Sequence, residues 1–146
     1  MRASGKNRII NVESGDTTGE NYGVAMDIGT TTVYGQVVNL ITGDVMAEAG
    51  QFNGQISYGE DVISRLNHVY RNEDGGRLLA GKVQQTINEM LGDLLKQIGA
   101  VREQVVDACI AGNTAMTHLL LELPVPQLVK APYVAAANTA INVTAV

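Results

Sequence analysis

The chain has 146 residues, 45% of them hydrophobic and 17% charged, which is ordinary globular composition and enough for one packed core. Its net charge of −5, with no Lys/Arg run, gives nucleic-acid binding no source of counterion release, so nucleic acid is not an expected partner. The single cysteine, Cys109, permits neither a disulfide framework nor a Cys-rich metal or iron–sulfur site built from this chain alone. Neither a signal-peptide core nor ~18 consecutive apolar residues is found, so no membrane partner and a reducing, cytoplasmic setting are expected.

Residues 1–21 are polar and rich in Gly, Ser, Thr and Asn, which predicts a linker or mobile tail before a domain over residues 22–134. Residues 23–28, 32–40 and 45–52 read as three strands of an antiparallel meander. The second turn is "TGD", in which Gly43 can take a positive φ at no steric cost. "SYGEDVISRLNHVY" has Val62, Leu66 and Val69 at helical spacing, behind Glu60 and Asp61 where a helix N-terminus favours negative charge. Arg77 to Ile98 repeats apolar residues along one face up to Gly99, a C-terminal stop. "QVVDACIAG" reads as a buried strand with Cys109 as a small core residue, and "NTAMTHLLLEL" as a helix capped by Asn113 or Thr114. The expected fold class is α/β, a mixed sheet opening on a three-stranded antiparallel meander, in the order βββααβα. Residues 135–146 are expected to be a truncated or irregular tail.

The turn "DIGTTT", residues 27–32, allows two readings. A polar hairpin tip would use Asp27 in an Asx-turn and Gly29 for a positive φ. A phosphate-binding loop would use backbone N–H groups and Thr hydroxyls as donors and Gly29 for close approach, with Asp27 holding Mg²⁺ directly or through water. Asn113 and Thr114, at the carboxyl end of the fourth expected strand, could face a nucleotide cleft or serve only as a helix cap. His118 is expected to be a hydrogen-bonded or surface residue rather than a ligand or base.

A strand, a phosphate-type turn, two further strands and then helices resemble the opening of the actin-like, ribonuclease-H-like ATPase superfamily, which includes the sugar kinases. Three blocks, "DIGTTTVYGQVVNLITGDVMAEAG", "NGQISYGEDVISRL" and "AGNTAMTHLLLELPVPQLVKAPY", resemble successive parts of the ATPase domain of the reductive activators of corrinoid proteins. The resemblance covers roughly residues 22–134 and implies the N-terminal half of that domain. It further implies a parent protein that couples ATP hydrolysis to reduction of a corrinoid protein from Co(II) to Co(I), fed by a [2Fe-2S] cluster in a separate domain. Carried over, the first phosphate loop falls on Asp27 for Mg²⁺ and on Gly29, Thr30 and Thr31 for the ATP phosphates, with Asn113 and Thr114 near them.

The block Tyr58 to Arg65 would present a surface for the partner or for a homodimer; alternatively it is a helix start whose Arg65 is solvated. The opposing half of the ATPase domain is expected as a further partner, and this chain alone is expected to be inactive and to bind ATP weakly. The rival readings are the N-terminal subdomain of a sugar or acid kinase, for which no general-base carboxylate is evident after the third strand, and a non-enzymatic assembly module.

Overall fold

The computed structural model describes residues 15–143. The tail expected over residues 1–21 therefore lies outside the described residues as far as residue 14, as does the end of the chain from residue 144. The elements in chain order are β1 (Tyr22–Ile28), β2 (Thr32–Asn39), β3 (Val45–Phe52), α1 (Val62–Arg71), α2 (Gly75–Ile98), β4 (Val105–Gly112) and α3 (Thr114–Leu120), with short 3-10 turns at Gly54–Tyr58, Arg102–Gln104 and Pro126–Leu128. The chain is a mixed α/β structure in the expected order.

The sheet runs β3-β2-β1-β4. The meander β1–β2–β3 is antiparallel, and β4 returns to pair parallel with β1. Strand residues alternate faces, so Val24, Met26 and Ile28 of β1 and Val33 and Val37 of β2 point inward, while Ala25, Asp27 and Tyr34 point to solvent. The inner face is covered by α2, whose Leu79, Val83, Met90 and Leu94 are fully buried. Burying each such side chain contributes about 1.5–3 kcal/mol. Gly35 permits the close packing of α2 on β2, because a Cβ there would lie 2.7 Å from Met90 Sδ. Gly99 takes φ 69° and closes α2 by donating its N–H to Leu95 and Lys96 carbonyls.

The first helix begins where its acidic pair placed the N-terminus: Tyr58 ends a 3-10 turn, and α1 starts at Val62, where the Asp61 carboxylate accepts from Ser64 N at 2.8 Å. Two local expectations need correction. Helix α3 is shorter than expected; it stops at Leu120, and Glu122 takes φ 53° while Leu123 N–H folds back to His118 O at 2.9 Å.

Strand β4 is not buried, because α2 packs over β2 and β3 while β4 lies at the opposite edge with β1 as its neighbour. From Asp107 onward it is exposed, and Cys109 with it. A mostly apolar segment, here interrupted by Asp107, is compatible with a buried strand but does not establish one.

Candidate functional site

Parallel pairing of β1 with β4 places their carboxyl ends together, with Asp27 beside Ala111 and Ile28 beside Gly112. The turn 29–31 and the Asn113–Thr114 pair follow directly from those two strand ends, so all six residues singled out in the sequence come to one edge of the sheet.

The turn closes with Gly29 N–H donating to Thr32 O at 2.9 Å. A Cβ at Gly29 would sit 2.5 Å from that same oxygen, and the φ of Gly29 is not positive. Close approach, and not a left-handed backbone, therefore requires glycine here.

The carbonyls of residues 29–31 are all held by donors from Asn53 and Arg65. Asn53 Nδ2 donates to Gly29 O at 2.9 Å, Arg65 NH2 to Thr30 O at 2.6 Å, and Asn53 N–H to Thr31 O at 2.8 Å. In a trans peptide the N–H points opposite to the preceding C=O, and among the described residues the cis peptide bond is Ala131–Pro132, well outside the turn. Three carbonyls held inward thus turn the amides of Thr30, Thr31 and Thr32 outward. Among the described residues, the amides of Thr30 and Thr31 and the three Thr hydroxyls donate to no protein acceptor. Buried amides are almost always paired; here free donors converge at an exposed tip.

Asp27 is exposed, flanked across the strands by Tyr34 and Ala111, and its carboxylate makes no hydrogen bond or ion pair among the described residues. No cluster of three His, Cys, Asp or Glu residues is found among them. One free carboxylate on an open surface fits a cation that keeps most of its waters, as Mg²⁺ does. On the same open face Tyr34 OH donates to Glu48 Oε2 at 2.6 Å and Gln36 Nε2 reaches the same oxygen at 3.2 Å. This bond raises the Tyr34 pKa and lowers that of Glu48.

Arg65 overturns the expectation of a solvated side chain: it is fully buried. Its Nε donates to Gly59 O at 2.8 Å, its NH2 to Thr30 O, and its NH1 to Gln55 Oε1 at 3.3 Å. Asn53 and Gln55, also fully buried, complete the network: Asn53 Oδ1 accepts from Gln55 N–H, and Gln55 Nε2 donates to Leu79 O on α2. Burial pushes the guanidinium pKa down, while the Asp61 carboxylate pulls it up through space. The sequence reading gave Asn53 and Gln55 no role; the signal available was two amides spaced by one residue directly after the third strand.

Asn113 Oδ1 accepts from Met116 N–H at 3.0 Å, so it caps α3. Its Nδ2 donates to no protein acceptor among the described residues. Thr114 is exposed beside it. His118 is fully buried with both ring nitrogens engaged, Nδ1 against Thr114 O at 2.7 Å and Nε2 accepting from Ala136 N–H at 2.9 Å. One neutral tautomer satisfies both contacts, which fits a hydrogen-bonded structural residue. A concavity of about 460 Å³ opens over α1, lined by Tyr58, Ser64, Asn67, His68, Arg71 and Asn72, away from the turn.

The family model of the RACo middle region matches residues 22–146. A corrinoid activation enzyme, RamQ, from Eubacterium limosum is 30% identical over 137 residues, which is 93% of this chain and 23% of that protein. A solved reductive activator for corrinoid, iron–sulfur protein shares 42% identity and superposes with a TM-score of 0.81 over 86% of this chain and 20% of its own. The chain therefore spans about a quarter or less of the relatives it matches, and on residues 22–146 it belongs to the RACo middle region family.

Proposed function

We propose that residues 22–134 form the first subdomain of an actin-like ATPase module, within a protein that reductively reactivates a corrinoid protein from Co(II) to Co(I). The relatives support the corrinoid role through what they are, an activation enzyme and a reductive activator. They give no support to the sugar-kinase alternative. The iron–sulfur cluster that would deliver electrons belongs elsewhere in such a protein, since one cysteine in this chain does not hold it.

The observation that carries the ATP reading is the turn with its carbonyls tied inward and its amides free. Gly29, Thr30 and Thr31 receive phosphate oxygens through the outward N–H groups and the Thr hydroxyls. Asp27 holds the water shell of Mg²⁺, which offsets phosphate charge when bound. Asn113 and Thr114 approach the phosphates from the neighbouring strand end, with the Asn113 Nδ2 as the free donor. The corrinoid protein is the partner of the whole assembly. Domain closure of the opposing half onto this edge would couple hydrolysis to it by biasing a two-state element.

The test is Asp27→Ala in the full-length protein, with ATP hydrolysis and corrinoid reduction measured together. Both are expected to fall by about 100-fold, in line with loss of a group that stabilises developing charge. Unchanged rates sink the metal role of Asp27.

A further inference from the structure

Arg65 is a buried cation whose hydrogen-bond acceptors are all neutral: the carbonyls of Gly59 and Thr30, and the Gln55 carboxamide. The sulfur of Met116 lies 3.6 Å from NH1. Asp61, the charge that acts on it through space, is exposed and spends its oxygens on Ser64. Burying a charge without a paired counter-charge is costly, so such a residue calls for a compensating anion or a function. The loop it supports turns the Thr30 and Thr31 N–H groups, which donate to no protein acceptor among the described residues, to its outward side.

We infer that Arg65 is the positioning residue of the phosphate loop, and that the counter-charge to its guanidinium is the ligand's phosphate. This inference rests on the phosphate-loop reading above. Two effects act in one direction. Holding Thr30 O inward fixes the peptide plane that turns Thr31 N–H outward. A cation bonded to that carbonyl also polarises the peptide and makes Thr31 N–H a stronger donor on the far side. Arg65 touches neither ligand nor metal; it acts through the loop backbone. Because its Nε simultaneously holds Gly59 O, at the threshold of α1, the same side chain ties the phosphate loop to the "YGED" segment. The ligand class is a polyphosphate with Mg²⁺, a nucleoside triphosphate in the reading proposed here.

The experiment compares wild type, Arg65→Lys, Arg65→Gln and Gly29→Ala in the full-length protein, titrated with Mg·ATP and with adenosine, which carries no phosphate. Arg65→Lys keeps the charge but loses the fork, and Arg65→Gln loses both. Both Arg65 variants are expected to bind Mg·ATP at least tenfold more weakly, the Gln variant worse, with adenosine affinity changed by less than twofold.

Equal losses for adenosine and Mg·ATP would reduce Arg65 to a purely structural role and overturn the inference. If Gly29→Ala weakens Mg·ATP while neither Arg65 variant does, the inference fails and the phosphate loop stands. If none of the three changes Mg·ATP binding, the phosphate-loop reading itself fails. Should neither Arg65 variant fold, threonine-labelled wild type decides: Thr30 and Thr31 amides that exchange freely without nucleotide and slow at least tenfold with Mg·ATP support the orientation. Amides already protected without nucleotide overturn it.

Discussion

A helix face is a chemical commitment made residue by residue, and Arg65 shows how one charge can defeat the usual reading of it. Val62, Leu66 and Val69 mark the inner stripe of α1, and position 65 lies three residues after Val62, on that same stripe. An arginine there is ordinarily assigned to solvent because burying it costs too much. One of its three oxygen acceptors, Thr30 O, comes from a turn 35 residues away in sequence, which no local pattern reveals. Gly29 is the opposite case: the glycine was legible, but the reason for it was not, since a positive φ and a close approach both demand glycine. The second reason predicts that Gly29→Ala, with its Cβ pressed to 2.5 Å from the Thr32 carbonyl, destabilises the fold by about 1–3 kcal/mol. Urea unfolding of this chain measures it; a change below a few tenths would mean that the turn can relax.

At the level of elements, the strands and the long helix were readable because their periodicities are long and regular, whereas ends and edges were not. The start of α1 depends on one capping side chain. Backbone and hydroxyl hydrogen bonds from Ser64 hold the Asp61 carboxyl below its ordinary pKa, the backbone bond being the larger cause. A carboxyl lowered on folding stabilises the native state above its unfolded pKa, and that contribution disappears as pH falls through the folded value. The first turn of α1 is therefore expected to fray below about pH 4, while the α2 core stays folded. Amide exchange of Ser64 and Arg65 against Leu94 across a pH series reads this directly; parallel loss at both places would show that the cap is not the weak point. Strand β4 was misread for a different reason: a largely apolar segment reports what a strand could be packed against, and packing partners are a property of the sheet.

For the molecule as a whole, the proposed phosphate site has one side among the described residues, the turn at 29–31 with the Asn113–Thr114 strand end. Phosphate oxygens bound to an exposed tip stay in water, where each hydrogen bond nets only about 1 kcal/mol. Isothermal titration of this chain with Mg·ATP is accordingly expected to give millimolar affinity or no heat, and micromolar binding would show that the open edge suffices alone. The fold class was legible through the meander and the alternation of its residues. The closing of β4 onto β1 was not, because a parallel neighbour leaves no turn signature in the sequence.

That same parallel pairing has a kinetic side. The meander and helices α1 and α2 can assemble from neighbours along the chain, but Tyr22 meets Val105, and Ile28 meets Gly112, only after everything between them has been drawn in. Contacts of such long separation are costly in loop entropy and come late in assembly, and β4 sits at the sheet edge where opening is easiest. The strand ends that carry Asp27 and Asn113 are therefore expected to come together late in folding and to open early.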